Sequence, residues 1–304
     1  MKTVLVLGGG PDAEREVSLN SSKGVAEALR AGGRYRVEYR VIDRVSLDEL
    51  SGMPGDVIFP VLHGAFGEGG ALQDLMERDG RPYVGCRPPA ARLAMDKMAS
   101  KLFAARAGIP TAEACVFNPG DAVSPIPFPV VMKPVHDGSS VGLHIIHCEK
   151  CWATARPAVV ADIQAKPGRA FMIERFIQGK ELTVGLLDGK PLPVIHIQPA
   201  DGPYDYEAKY KRTDTQYHVD PELPGGVKRQ VQEYAETLGR AIGVRHVSRV
   251  DFLLDGESRP WLLEINTMPG FTATSLVPKA ARKIGLEMGE LCAKLVEMAI
   301  RDHG

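Results

Sequence analysis

Cysteine is scarce, an excess of either charge is missing, and no apolar run is long. Five cysteines in 304 residues are too few for a disulfide framework, so the chain must be held by its core, and a reducing cytoplasmic location is expected. Lysine and arginine together number 37 against 38 acidic residues, a net charge of -1. That balance provides no global basic field for nucleic acid or anionic membrane, and neither is expected as a partner. No apolar stretch approaches the roughly 18 residues that a membrane helix needs. Met1-Lys2-Thr3-Val4-Leu5-Val6-Leu7 runs straight into Gly8-Gly9-Gly10-Pro11, without an extended apolar segment or a small-residue cleavage site, and reads as a first strand rather than a signal peptide. Internal repeats and low-complexity tracts are also missing, which excludes solenoids and disordered tethers. What remains is an ordinary globular composition, 44% hydrophobic and 25% charged, at a length that suits two or three domains.

The first third alternates strand and helix signals. Apolar runs at residues 4–7, 37–42 and 57–62 read as strands, and residues 17–30 and 72–78 have helical spacing. Such alternation predicts a parallel, doubly wound sheet, which binds ligands beyond the carboxyl ends of its strands. Gly8-Gly9-Gly10-Pro11 and His63-Gly64 sit at such ends. A helix is expected at about residues 95–107, stopped by Gly108-Ile109-Pro110, with a Pro-rich stretch at 119–129. Strands follow at 130–133, 143–146, 171–175, 182–187 and 194–198, then a polar loop over 199–220. Residues 226–242 carry an apolar stripe at Val227, Val231, Tyr234, Ala235, Leu238 and Ile242, and a closing helix over 287–301 repeats it at Met288, Leu291, Cys292, Leu295 and Ala299. The fold class is α/β in three lobes, 1–95, 96–182 and 183–304.

The chemistry concentrates near the C-terminal end. Arg249-Val250-Asp251-Phe252-Leu253-Leu254 and Leu262-Leu263-Glu264-Ile265-Asn266 are apolar enough to be strands. Residues i and i+2 share a face, so Arg249 lies beside Asp251 and Glu264 beside Asn266. A turn at Asp255-Gly256-Glu257 would bring the two pairs together. Two carboxylates and an amide oxygen are hard ligands that suit Mg²⁺, with substrate phosphates completing its shell. From spacing alone, a solvated hairpin and a magnesium site stand level.

Several loops add to this. Gly138-Ser139-Ser140-Val141-Gly142 follows Lys133-Pro134 and can cradle phosphate with backbone N–H groups, although alone it reads as a turn, being neither a P-loop nor a dinucleotide fingerprint. Glu174-Arg175-Phe176-Ile177 and Glu181 join two strands, where a connecting backbone can bind adenine and a carboxylate can hold ribose; the bland alternative is a hinge. Tyr204-Asp205-Tyr206-Glu207-Ala208-Lys209-Tyr210 has the character of a lid. Glu14 is either a helix cap or a partner for a substrate ammonium. His144, His147, Cys148 and Cys151 form an H-x-x-H-C-x-x-C run. A single C-x-x-C is weak support for zinc or redox chemistry and reads as structural.

Taken in order, these pieces resemble the D-alanine–D-alanine ligase family of the ATP-grasp superfamily. The resemblance rests on Leu7-Gly8-Gly9 through Ser18, Leu62-His63-Gly64 through Gly70, Met95-Asp96-Lys97 and Val131-Met132-Lys133-Pro134. It continues through Gly138–Gly142, Asp205–Tyr210, Arg249-Val250-Asp251, Glu264–Gly270 and Ser275-Leu276. It covers essentially the whole chain. It implies a three-lobed ATP-grasp fold and ATP-dependent joining of two D-alanines through an acyl phosphate, for peptidoglycan precursor synthesis. The same resemblance implies a cytoplasmic homodimer.

In that family ATP lies between the central and C-terminal lobes. Lys97 and Lys133 would contact phosphates beneath Ser139 and Ser140, while Glu174, Phe176 and Ile177 would border adenine and Glu181 would bind ribose. Asp251, Glu264 and Asn266 would hold two Mg²⁺ ions, with Mn²⁺ as an alternative. Glu14, His63 and Ser275 would fix the first D-alanine. Arg249, Gly270, Ser275 and Leu276 would surround the second and the reacting carboxylate, with Arg249 and the Gly270 N–H as oxyanion donors. Lys209 and Tyr210 would come from the lid, and a proton path would run through Glu14, Tyr210 and Ser139 or Ser140. Val135-His136-Asp137 departs from the family pattern. Relatives that use D-lactate tend to carry Phe where Tyr210 stands, so the phenol favours the dipeptide over an ester or another ATP-grasp ligation.

Overall fold

The computed structural model describes residues 1–138, 141–200, 214–272 and 274–303. The chain begins with β1 (Thr3–Gly9), α1 (Arg15–Gly32), β2 (Arg36–Ile42), α2 (Leu47–Ser51), β3 (Val57–Pro60), α3 (Gly64–Glu68), α4 (Ala71–Asp79), α5 (Pro88–Met95) and α6 (Lys97–Arg106). Strands β2-β1-β3 form a parallel sheet in that order. The alternation of β1 sorts its side chains. Val4 and Val6 pack with Val25, Ala26 and Leu29 of α1, whereas Leu5 and Leu7 pack with Leu50, Leu72 and Met76 on the opposite side. Each fully buried Val or Leu contributes roughly 1.5–3 kcal/mol, so both faces need a helical cover. This is the expected doubly wound arrangement.

The helix expected over 95–107 is α6, and it starts two residues later, at Lys97, while α5 before it was not expected; the two meet at Asp96. The Asp96 Oδ1 accepts the N–H groups of Met98 and Ala99, each at 2.9 Å. Its extended backbone (φ -82°, ψ 104°) makes it an N-cap rather than a helix interior.

A second sheet contains β4 (Ala114–Val116), β5 (Val130–Pro134), β6 (His144–Ile146) and β7 (Phe171–Arg175), with α7 (Glu149–Ala165) between β6 and β7. Its order is β4-β7-β5-β6, all antiparallel. Phe117, Trp152, Val159 and Phe171 fill its core with α7. Neither β4 nor α7 was expected from the sequence.

The third sheet takes β8 (Lys180–Leu187), β9 (Lys190–Pro191), β10 (Ile195–Gln198), β11 (Gln216–Val219), β12 (Val247–Leu254) and β13 (Pro260–Asn266), with α8 (Val227–Ile242), α9 (Leu276–Lys283) and α10 (Met288–Arg301). Its order is β11-β10-β8-β12-β13, and β9 pairs with β8. The polar loop expected over 199–220 therefore ends in a strand, because Gln216–Val219 pairs with β10. Helix α8 buries the apolar stripe read from sequence against β8 and β12, and α5 and α6 contribute Ala91, Ala94 and Ala104 to the same core. Helix α10 returns to the first sheet, where Leu291 and Leu295 join Val4 and Val6. No helix among the described residues is long and apolar enough to cross a membrane.

Candidate active site

The hairpin β12–β13 has the register that its alternation demands. Asp251 stands opposite Glu264, and Arg249 opposite Asn266. A bulge after Asp251 shifts the pairing, so Phe252 faces Leu262 and the polar rungs separate from the apolar ones. Asp251 is buried, and on its other side it pairs with Thr183 of β8, whose hydroxyl donates to Asp251 Oδ1 at 2.5 Å. The Arg249 fork closes on the same carboxylate, Nε at 2.9 Å from Oδ1 and Nη2 at 2.7 Å from Oδ2. Sharing a strand face thus makes Arg249 the direct counter-charge of Asp251. Across the cleft, Glu264 Oε2 lies 3.5 Å from Lys97 Nζ, and Asn266 Oδ1 accepts the Met268 N–H at 3.0 Å.

Asp251, Glu264 and Asn266 offer hard oxygen donors on adjacent rungs. Among the described residues no cluster of three His, Cys, Asp or Glu side chains is set to hold a metal alone. The donor set fits Mg²⁺ shared with a phosphate, which would bring the missing oxygens.

Between the second and third sheets lies a cleft of about 780 Å³. Lys97, Lys133 and Gly138 line one end together with Asp251 and Glu264. Phe176, Ile177 and Glu181 line the connection between the sheets. Of the residues that sequence assigned to a nucleotide, the cleft gathers Lys97, Lys133, Glu174, Phe176, Ile177 and Glu181. Lys97 Nζ also donates to the Asp137 carbonyl at 2.6 Å, which ties α6 to the loop after β5.

Glu174 also lines this cleft, but its carboxylate is engaged elsewhere. It is 4% exposed and holds Lys133 Nζ at 2.6 Å and Lys101 Nζ at 2.8 Å. Burial opposes all three charges, and pairing decides each outcome. Burial pushes Glu174 up, but Lys133 and then Lys101 outweigh it and hold its carboxyl below the usual range. Burial pushes Lys133 down, but Glu174 and then Glu264 outweigh it and raise it. For Lys101 burial prevails over Glu174, and its ammonium is lowered.

A second polar corner adjoins the first sheet. His63, at the N-terminus of α3, is buried, with Nδ1 2.9 Å from the Met268 carbonyl. Nδ1 therefore donates its proton, leaving Nε2 as the acceptor in the neutral ring. Burial lowers the His63 pKa against the opposing field of Glu14. Glu68 accepts the Met268 N–H at 3.0 Å and the Gly64 N–H at 3.3 Å. Burial first, and Glu14 second, push its carboxyl up to about 8. Glu14 also approaches the loop after β5, since a Cβ on Gly138 would lie 2.8 Å from its Oε2. Gly270 is close to Ser275 in the same way, a Cβ there lying 2.8 Å from Ser275 Oγ. That hydroxyl also accepts the Thr272 N–H at 3.0 Å. Leu276 begins α9 immediately after Ser275.

Ser139, Ser140, Lys209 and Tyr210 lie outside the described residues. Three participants escaped the sequence reading: Lys101, Glu68 and Thr183. Lys101 follows Lys97 by one helical turn, a spacing that puts both on one face of α6. Glu68 lies inside the glycine-rich run Gly67-Glu68-Gly69-Gly70, and Thr183 had no signal beyond strand propensity.

A cleft between two antiparallel sheets, with lysines on one wall and paired carboxylates on the other, is the arrangement expected of a ligase of the ATP-grasp class. Residues 105–297 match the family described as D-ala D-ala ligase C-terminus. The chain is 40% identical to the D-alanine–D-alanine ligase of Anaeromyxobacter sp. (strain K), over 98% of this chain and 97% of that protein. It is 39% identical to that of Bordetella avium (strain 197N), over 96% and 92%. The crystal structure of D-alanine–D-alanine ligase from Bacillus anthracis matches with a TM-score of 0.86 at 28% identity, over 100% of this chain and 99% of that one. The same enzyme complexed with ATP matches at a TM-score of 0.81 and 25% identity, over 100% and 99%. The chain belongs to the D-alanine–D-alanine ligase family.

Proposed function

We propose that the chain joins two D-alanines into D-alanyl-D-alanine with conversion of ATP to ADP and phosphate, as a step of peptidoglycan precursor synthesis. The observation that carries this reading is the Arg249–Asp251/Glu264 hairpin facing Lys97 and Lys133 across one cleft. Phosphoryl transfer depends on positioned charge around the phosphates, and that arrangement supplies it. Lys97 and Lys133 would bind phosphates, with Glu174 holding Lys133 in place. Phe176 and Ile177 would border adenine and Glu181 would take the ribose. Asp251, Glu264 and Asn266 would hold two Mg²⁺ or Mn²⁺ ions, which when bound neutralise charge on the β- and γ-phosphates.

The first D-alanine carboxylate attacks the γ-phosphorus, and ADP leaves an acyl phosphate. The amine of the second D-alanine attacks the activated carbonyl, and phosphate departs. Glu14 holds the first ammonium, with His63 and Ser275 beside it and Leu276 against the second substrate. Arg249 and the Gly270 N–H stabilise the tetrahedral oxyanion, each donor contributing roughly 10²–10³ in rate. The lid residues Lys209 and Tyr210 exclude water from the acyl phosphate. Glu14, Tyr210 and Ser139 or Ser140 carry the amine proton. The three lobes of this reading are 1–95, 96–182 and 183–304, with β8 spanning the last limit. A homodimer in the cytoplasm belongs to the same proposal.

Phosphate release with D-alanine, L-alanine, D-lactate and D-serine tests it. Release is expected with D-alanine alone at neutral pH. A stronger response to D-lactate would replace the dipeptide reading with an ester-forming one.

A further inference from the structure

One feature of the second sheet has no part in the ligation. Helix α7 starts directly after β6, and its first turn carries both exposed cysteines. Cys148 is the N-cap, and its Sγ accepts the Cys151 N–H at 3.4 Å. The two sulfurs stand 2.7 Å apart as free thiols. Residues three apart on a helix hold their side chains about 5–6 Å apart at Cβ, and the first-turn position lets an N-cap cysteine fold back toward its partner. We propose that Cys148 and Cys151 form a reversible dithiol–disulfide site on the rim of the nucleotide cleft, with Cys148 as the attacking thiol.

The remaining cysteines lack this chemistry. Cys86 and Cys292 are buried, and burial pushes their thiols up to about 11 and about 12. Cys115 is half-buried and also raised, by burial first. Cys148 is lowered, by the Cys151 thiol first and then by the N–H groups of Cys151 and Lys150. A thiolate in reach of solvent at a helix N-terminus is the nucleophile that exchange requires.

With a glutathione-type disulfide as oxidant, deprotonated Cys148 Sγ attacks one of its sulfurs. A new S–S bond forms, the old one breaks, and one small thiolate leaves. Cys151 Sγ, giving up its proton, then attacks the Cys148 sulfur of the mixed disulfide and expels the second thiolate. Two protein thiols lose two electrons in total, and one small disulfide becomes two thiols. Transient pairs of this kind are the usual form of disulfide in a reducing compartment.

The site adjoins the cleft through two connections. Leu143 and Ile145, around β6, line the cleft. His147, the residue before Cys148, sets its ring 6.1 Å from that of Phe176, tilted by 66°. Locking the first turn of α7 by a disulfide therefore acts on a wall that would face adenine. This link rests on the nucleotide reading above, whereas the thiol chemistry does not.

The full-length chain is equilibrated in glutathione/glutathione disulfide buffers, quenched with acid and denatured, its remaining thiols are blocked with a maleimide, and its mass is read. Two of the five thiols are expected to disappear together and to return with dithiothreitol. Cys151→Ser should accumulate a glutathione adduct on Cys148, and Cys148→Ser should react at least about tenfold more slowly. Five reactive thiols after oxidation, adducts that form equally on both cysteines, or stoichiometric zinc retained by the pair would each overturn the site. ADP affinity, measured by calorimetry in both redox states, should differ by about twofold or more. Equal affinities with the disulfide formed would overturn the link to the cleft, and failure of ADP to bind in either state would instead overturn the nucleotide reading.

Discussion

Glu174→Gln tests the buried charge cluster that the sequence did not foresee. The native carboxylate lies 2.6 Å from Lys133 and 2.8 Å from Lys101, and all three side chains are below a tenth exposed. The amide preserves shape but removes the negative charge that the two ammoniums share. Removing one partner of a buried ion pair costs about 3–5 kcal/mol, because the remaining charge keeps its desolvation penalty. For 304 residues that corresponds to a Tm fall of roughly 5–8 °C by calorimetry. Lys101→Met, added to Glu174→Gln, removes one of the two stranded ammoniums, and Lys133 still feels Glu264 and Glu181. The double variant should therefore regain about 1 kcal/mol or more over Glu174→Gln alone. The variant should also weaken ATP, because Lys133 lines the cleft. A loss below about 1 kcal/mol, or strictly additive effects of the two substitutions, would refute the reasoning.

Glu264→Gln and Arg249→Lys should each lower ligation by at least about 10²-fold in a phosphate-release assay while leaving far-ultraviolet circular dichroism unchanged, since the first removes the negative charge and one oxygen of a carboxylate ligand and the second a planar fork. Near-normal turnover in either variant would contradict its assigned role. Glu68→Gln should change the pH dependence of stability. Folding raises this carboxyl from its ordinary value to about 8, so its contribution is fully present below about pH 4.5 and is lost as pH rises through 8. Chemical denaturation across that window should show the Gln variant gaining on the native chain with rising pH, by on the order of a few kcal/mol. A constant difference would contradict the buried neutral carboxyl.

The hairpin was legible because its register follows from alternation. Once Arg249, Asp251, Glu264 and Asn266 occupy every second position of two strands joined by a short turn, their juxtaposition is nearly forced. The first sheet was legible for the same reason, since Val4 and Val6 against Leu5 and Leu7 need cover on both faces. Elements with weak periodicity escaped. Helix α7 carries Pro157 and few buried apolar residues, and β11 is a polar strand whose pairing comes from β10 rather than from its own pattern. Helix α5 was missed because it is short and opens on Pro88-Pro89, and the start of α6 depended on the Asp96 cap. Lys101 and Glu68 were missed because burial of a charge is a tertiary property. Lys101 becomes informative only once Glu174 is placed beside it, and Glu68 only once Met268 and Gly64 present their N–H groups. That Arg249 and Asp251 share a strand face was implied by spacing, but the bidentate contact between them was not.

The most direct test of the ligase reading follows oxygen. D-alanine labelled with ¹⁸O in its carboxylate is incubated with ATP, Mg²⁺ and the enzyme, and the released phosphate and the dipeptide are analysed by mass spectrometry. Attack of the carboxylate on the γ-phosphorus should carry one labelled oxygen into each phosphate, with D-alanyl-D-alanine formed in equal amount. Unlabelled phosphate, or phosphate released without dipeptide, would mean that water and not D-alanine takes the phosphoryl group, and would contradict the account.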